Sequence, residues 1–411
     1  MTFGNVIWSF ARDGKVVREE AAKRSMEGSN MTQQHLITGT GPLLDEQGRL
    51  REAGYALQPP FDYDHKAIAA SPLRIKDWDY YLVSDDEYAV ALTFSDLGYI
   101  GLVSASVLDF ANRTFKTTSE LLIMPLGRMG VPTSSDVGDV AWENRRCKVR
   151  FAHEAQGRRL SFFMAKFDGD DELDVELFLD REPRDSMVIC TPWSEDKHAF
   201  YYNRKILGMR ARGGFRRGAL FHEFAPTDAL GLLDWGRGVW TYDNVWYWAA
   251  IQGHQDGHIV ALNLGYGFGD TSAASENMVF VDGIAHKLGR VDFGIPRDDN
   301  DPSRQPEPAS NKSQDDFGSR RCPTSAHVAP QSENGPYRYL EPWHLTDDEG
   351  RLDLTFAPEI DRIDNIDVGG LIKSKQHQVF GTFNGTVVLD DGSILRLHGI
   401  RGSAEHIHNR Y

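Results

Sequence analysis

The sequence predicts an all-β protein in meander order, and three observations carry that reading. Short runs rich in Val, Leu, Ile and aromatic residues recur along most of the chain. Asx-Gly steps, which supply the positive φ angles of tight hairpins, fall between several of them. Amphipathic helical periodicity over three or more turns is hard to find after residue 36.

The N-terminal stretch is rich in charge. After one short apolar patch it reads ARDGKVVREEAAKRSMEGSN. Residues 15–26 are compatible with a short charged helix, but residues 1–31 read best as an extension with no core role. Strand-like runs follow at 79–82, 88–94 and 99–110. Residues 148–153 and 160–166 flank the spacer Ala155-Gln156-Gly157-Arg158, and 173–179 follows Asp168-Gly169-Asp170-Asp171. In the second half, Asp256-Gly257, Asp282-Gly283, Asn384-Gly385 and Asp391-Gly392 each read as hairpin turns. Residues 297–336 hold six prolines and almost no apolar side chains. Such a stretch cannot bury enough surface to offset its ordering entropy, so it reads as a disordered loop insertion. The strand pattern resumes at Tyr337.

Composition narrows the classes of function. A chain of 411 residues is long for one core and suggests two domains. The formal net charge is −15, from 60 acidic and 45 basic side chains. That field repels phosphate backbones and makes nucleic acid an unexpected partner. No apolar run reaches 18 residues, so no membrane span is expected. Cys147, Cys190 and Cys322 are too few and too scattered for a disulfide framework or a structural zinc site. Three reduced thiols and no export signal point to a cytoplasmic protein.

The segment DWGRGVWTYDNVWYW, residues 234–248, holds four of the nine tryptophans together with Asp234, Arg237 and Asp243. Period-two alternation places Trp240, Tyr242, Asn244, Trp246 and Trp248 on one face of an extended chain. A bend near Asp243-Asn244, and a second at Gly236 and Gly238, is expected to gather Asp234, Arg237 and Trp235 beside that wall. A carboxylate desolvated there has a raised pKa and is suited to protonate an alkene or a leaving oxygen. The aromatic faces are suited to stabilise a developing cation. Asp234, Asp243 and Arg237 are therefore the catalytic candidates, with an ion pair stapling two strands as the plainer alternative. The run GYGFGDTS, residues 265–272, lacks the strand-loop-helix context of a nucleotide fingerprint. Its Tyr266 and Asp270, with Glu276, are candidate ligand-binding residues at a cavity rim, or members of a hydrogen-bonded loop.

Other chemistries find less support. His254, Asp256 and His258 share one turn, and His406 and His408 share one strand face. Neither set has the spacing of a recognised zinc site, and no metal or other cofactor is expected. No Gly-x-Ser-x-Gly elbow occurs, and Cys190 lies in an apolar run where thiols are usually inert. Tyr201, Tyr202 and Asn203, and Glu341-Pro342-Trp343-His344, are further possible cavity liners.

Several long phrases stand together: ITGTGPLLDEQGRL (37–50), DWDYYLVSDDEYAVALTFSDLGYIG (77–101), AFYYNRKI (199–206), LDWGRGVWTYDNVWYW (233–248), NLGYGFGDTSAASENMVFVDG (263–283) and GTFNGTVVLDDG (381–392). In them the chain resembles the DUF2804 family over roughly residues 36–411. The stretch WYWAAIQGHQDGHIVALNLGYG (246–267) is also similar to carotenoid hydratase and tocopherol cyclase-like proteins. That likeness implies two consecutive lipocalin-like β-barrels, here at 32–230 and 231–411. It also implies an apolar cavity where aspartate and aromatic groups act on alkenes or polyenes. Those families often carry an Asp-His pair before Trp-Gly, whereas here Asp234 is followed directly by Trp235-Gly236.

Three functions remain in view. One is cofactor-free, acid-catalysed hydration, cyclisation or isomerisation of a hydrophobic or ring-containing small molecule. Another is binding of a lipid-like ligand without turnover. The third is a carbohydrate-active β-protein using paired carboxylates.

Overall fold

In the computed structural model of the chain, residues 34–297, 337–368 and 372–410 are described. The expected N-terminal extension at 1–31, and the insertion at 297–336 apart from Arg297, lie outside them. Among the described residues only two single-turn 3₁₀ segments, His65–Ala67 and Pro72–Arg74, interrupt an otherwise β-only chain.

The first half opens with three very short strands, β1 (Gly41–Pro42), β2 (Gly54–Ala56) and β3 (Phe61–Asp62). A meander follows: β4 (Ile75–Ser84), β5 (Tyr88–Asp96), β6 (Ile100–Asp109) and β7 (Thr114–Ile123). Next come β8 (Val140–Glu143), β9 (Cys147–Glu154), β10 (Gly157–Asp168), β11 (Asp171–Asp180) and β12 (Met187–Pro192). The half ends with β13 (Phe200–Arg217), β14 (Leu220–Phe224) and β15 (Leu230–Val239). These form one sheet in the order β7-β6-β5-β4-β15-β13-β11-β10-β9-β8, with β2, β12 and β14 added beside it and β1 paired with β3 apart.

The second half contributes β16 (Asp243–Gln255), β17 (His258–Tyr266), β18 (Met278–Val281), β19 (Ile284–Lys287) and β20 (Val291–Asp292). After these run β21 (Trp343–Asp347), β22 (Leu352–Val368), β23 (Ile372–Val388) and β24 (Ile394–Arg410). They form a separate sheet in the order β19-β18-β17-β16-β24-β23-β22-β21-β20. The all-β expectation of two successive curved antiparallel sheets holds.

Each sheet is curled, and side chains link strands that lie far apart in its order. In the first, Thr118 Oγ1 donates to the Phe167 carbonyl at 2.5 Å, and Lys116 pairs with Asp168 at 3.2 Å. In the second, Arg351 Nη1 donates to the Lys287 carbonyl at 2.7 Å. The turns follow the sequence closely. Asp256-Gly257 and Asp282-Gly283 have φ of 53° and 84°, and 50° and 74°, the paired positive angles that twist-matched hairpins require. Asn384-Gly385 is different: it lies inside β23 as a bulge against β24, where Gly385 (φ 139°) crowds the Asp353 carbonyl.

Three apolar clusters fill the structure. One lies inside the first sheet, with Leu92, Phe94, Phe162 and Trp235 among its members. One lies inside the second, with Leu262, Trp343, Phe356 and Phe383. The third joins the outer faces of both sheets, and we call it the seam. A strand buried on both faces carries few alternating polar positions. This is why β15, LGLLDWGRGV, is buried at every residue. β15 hydrogen-bonds within the first sheet and β16 within the second. The chain therefore passes from the first sheet to the second at residues 240–242.

Candidate functional site

Strand register sets a row of polar residues along each side of the seam. On the first sheet, Asp234 is the ladder partner of both Lys205 and Tyr80. On the second, Glu405 is the partner of both Trp248 and Gln378, and Gln378 of Arg362. Period two turns Leu232, Tyr201 and Tyr80 to the seam while Leu233, Tyr202 and Tyr81 fill the first interior. The same rule turns Trp248 and Ala250 to the seam and Tyr247, Ala249 and Ile251 into the second interior.

The two rows interlock. Lys205 Nζ lies 2.9 Å from Asp234 Oδ1 and 4.2 Å from the centre of the Trp248 ring. Asn203 Nδ2 donates to the same Asp234 oxygen at 2.6 Å. Gln378 Nε2 donates to Glu405 Oε1 at 2.5 Å and lies 3.3 Å from the Tyr80 hydroxyl, which it reaches across the seam. Trp248 Nε1 donates to Asn263 Oδ1, whose amide donates in turn to Glu276. Gly265 leaves room for that carboxylate, since a Cβ there would collide with Glu276.

Burial governs the electrostatics. Glu405 is 7% exposed, and burial pushes its carboxyl pKa up to about 7, against the opposing pull of Arg362 and Lys205. The Glu276 carboxyl is also raised, chiefly by burial. Burial lifts the Tyr80 hydroxyl to about 12 and holds Tyr201 well above its ordinary range.

Beside the polar row stands an aromatic box. Phe268 meets Trp193, Tyr201, Trp240 and Trp246 edge-on, with ring centroids 4.7 to 5.2 Å apart. Trp78 stacks on Tyr201 at 5.9 Å and meets Trp240 edge-on. Gly236 permits this, because a Cβ would collide with the Trp78 ring.

The structure gathers some of the residues expected from sequence and separates others. Asp234, Trp240, Trp246, Trp248 and Glu276 come together at the seam. Arg237 and Trp235 lie on the opposite face of β15, in the interior of the first sheet. There Arg237 Nη2 pairs with Asp79 at 2.9 Å and donates to the Pro132 carbonyl, with its guanidinium 4.2 Å from the Trp235 ring. No bend at Gly236 or Gly238 brings it round, because β15 runs straight through both positions in register. Asp243 is exposed and pairs with His408 at 2.7 Å and Arg410 at 2.8 Å. The break falls at 240–242, so Asn244 serves to close it, exchanging hydrogen bonds with Thr241. Tyr242 is 55% exposed. Tyr266 stacks on Tyr247 at 4.4 Å on the inner side of the second sheet. Asp270 caps its own loop by accepting from the Ser272 amide.

Lys205, Glu405, Gln378, Tyr80 and Phe268 are seam residues that sequence reasoning did not single out. The available signal was an ionisable residue inside a long β-run, as with Lys205 in AFYYNRKI. Among the described residues, no group of three His, Cys, Asp or Glu side chains is placed to hold a metal ion. No helix among them is long and apolar enough to cross a membrane. Cys147 and Cys190 are both buried and unbridged, and burial pushes the Cys147 thiol up to about 11.

Fold and site together define an all-β protein of two curled antiparallel sheets with a buried charged cluster between them. The chain belongs to the DUF2804 family, described as a domain of unknown function, which it matches over residues 34–411. No curated protein matches it. Similar solved structures include a protein assigned as AttH from Nitrosomonas europaea, at 11% identity and TM-score 0.47, covering 86% of this chain and 98% of that one. Another is kievitone hydratase from Nectria haematococca, at 10% identity and TM-score 0.42, covering 82% and 88%. CghA is a third, at 11% identity and TM-score 0.35, covering 91% and 94%. Likeness at this distance speaks to neither substrate nor reaction.

Proposed function

We propose that the protein takes up an apolar, ring-bearing small molecule at the seam, and that Glu405 hands it a proton. The reaction is a cofactor-independent addition, cyclisation or isomerisation. The observation that carries this reading is Glu405 itself, a buried carboxyl with a pKa near neutrality, set between Trp248 and Gln378 and facing Tyr80 and Lys205. A carboxylic acid of that strength is matched to proton donation at physiological pH. The proton goes to an alkene carbon, and the nearby Trp248 and Tyr80 faces stabilise the cation that forms. Water, an internal nucleophile or loss of a second proton then quenches it.

Asp234 is a poorer donor than the sequence suggests, because Lys205 and Asn203 both engage its Oδ1. It holds the Lys205 ammonium in place, where that charge stabilises the carboxylate left on Glu405. The sugar-active reading loses its platform, since Trp193, Trp240 and Trp248 are all buried.

The test is to incubate the full chain and E405Q with a small-molecule extract of the cells that make it. Mass spectrometry then follows compounds that vanish and products of equal mass or one added water. Conversion by the wild type, with loss of at least a hundred-fold in E405Q, is expected from the size of general acid catalysis. Retention of one compound by both proteins with no conversion by either makes the chain a binder. Full activity in E405Q removes Glu405 from the chemistry.

A further inference from the structure

Arg362 differs from the other cations of the seam. It projects from β22 at the position paired with Gln378, and its Nη1 donates to Ser106 Oγ of the first sheet at 2.8 Å. Among the described residues that is the one hydrogen bond of its side chain. Its Nε is buried without a partner, and no described carboxylate stands close enough to form an ion pair with it. Lys205 has Asp234, and Arg401 has Glu359 at 2.8 Å. Arg362 has no described carboxylate at contact distance, although its charge reaches the Glu405 carboxyl.

Two further groups on the same face of the second sheet share this condition. Gln378 Oε1 and Ser403 Oγ are buried with no hydrogen-bond partner, in residues only 2% and 1% exposed. Ser403 pairs in the ladders with Phe380 and Ala250, one step along from Glu405. Buried polar atoms left unpaired are costly in a folded protein. Their presence in adjacent rows of one sheet face marks a place built for polar atoms that arrive from outside.

We propose that Arg362, held by Ser106 and helped by Ser403, binds a carboxylate carried by the ring-bearing ligand of the seam. This rests on the reading that the seam takes such a ligand. One oxygen of the carboxylate accepts from the guanidinium, whose planar donors suit that geometry, and the other accepts from the Ser403 hydroxyl. A single negative charge is favoured over a phosphate, because Arg362 is one cation in a row that already holds Asp234, Glu276 and Glu405. The apolar part of the ligand then lies against Phe110, Ile360 and Phe380, whose side chains continue the seam from there. A substrate with a ring system at one end and a carboxylate at the other meets both demands.

Calorimetric titration of the full chain with naphthoate and with its neutral analogue naphthalenemethanol, at neutral pH, tests this. The wild type is expected to prefer naphthoate by about ten-fold or more, the size of one charge-assisted hydrogen bond. R362Q should lose that preference while its affinity for the alcohol stays within about two-fold, and R362K should keep part of it. Should R362Q fail to fold, the wild-type preference and R362K decide the matter. Equal affinity of the wild type for both probes, or a preference that survives in R362Q, overturns the carboxylate site and leaves the seam reading standing. Binding of neither probe overturns both.

Discussion

Lys205 and Asp234 are ladder partners on adjacent strands, and their side chains form an ion pair of 2.9 Å with exposures of only 4% and 11%. Two charges removed from water this far are held by each other, by the Asn203 amide and by the Trp248 ring. Such pairs add little net stability, yet loss of one partner strands the other. K205M or D234L alone should therefore cost about 3 kcal/mol or more. The double variant K205M/D234L should recover much of that loss. Denaturant unfolding of the four proteins measures the coupling, and additive costs would show that the pair does not act as a unit.

Glu405 makes stability depend on pH in an unusual direction. Its folded pKa, about 7, lies above the ordinary value of 4.5, so the folded chain holds this proton more tightly than the unfolded one. The contribution is fully present below pH 4.5 and is lost as pH rises through 7. A shift of that size corresponds to about 3 kcal/mol. E405Q cannot ionise and should flatten this part of the profile. Unfolding free energies at pH 5 and pH 8 check it: the wild type should lose more on raising the pH than E405Q does. An equal loss in both proteins would mean that Glu405 is ionised throughout.

These residues also show what the sequence makes legible. The inward turn of Trp246 and Trp248 follows from period-two alternation alone, and so does the hairpin at Asp256-Gly257. The same alternation separates Asp234 from Arg237, which stand three residues apart and so on opposite faces of a straight strand. Placing them together required a bend that Gly236 and Gly238 permit but do not impose. Glycine there serves a different end, giving the Trp78 ring room to lie over the strand. The grouping of Lys205, Asp234 and Glu405 is a property of register between strands far apart in the chain. Local pattern carries no information on that register, and so Lys205 and Glu405 read as ordinary strand residues. Asn384-Gly385 failed as a turn for a related reason: the ladder on both sides of β23 continues past it.

Phe268 stands at the centre of the aromatic box. Its ring fills the space among Trp193, Tyr201, Trp240 and Trp246, and it is carried between Gly267 (φ 90°) and Gly269 (φ 72°). Those two backbone angles are ones side-chain-bearing residues rarely adopt, so the loop is shaped to deliver this one ring. Truncation in F268A removes a well-packed aromatic and should cost about 3–5 kcal/mol. It should also leave a ring-sized apolar void with four aromatic walls, the kind of space that binds small arenes. Indole or toluene should then raise the melting temperature of F268A in a concentration-dependent way, with little effect on the wild type. If neither compound stabilises the variant, the four rings have collapsed together, and the box exists only because Phe268 holds it open.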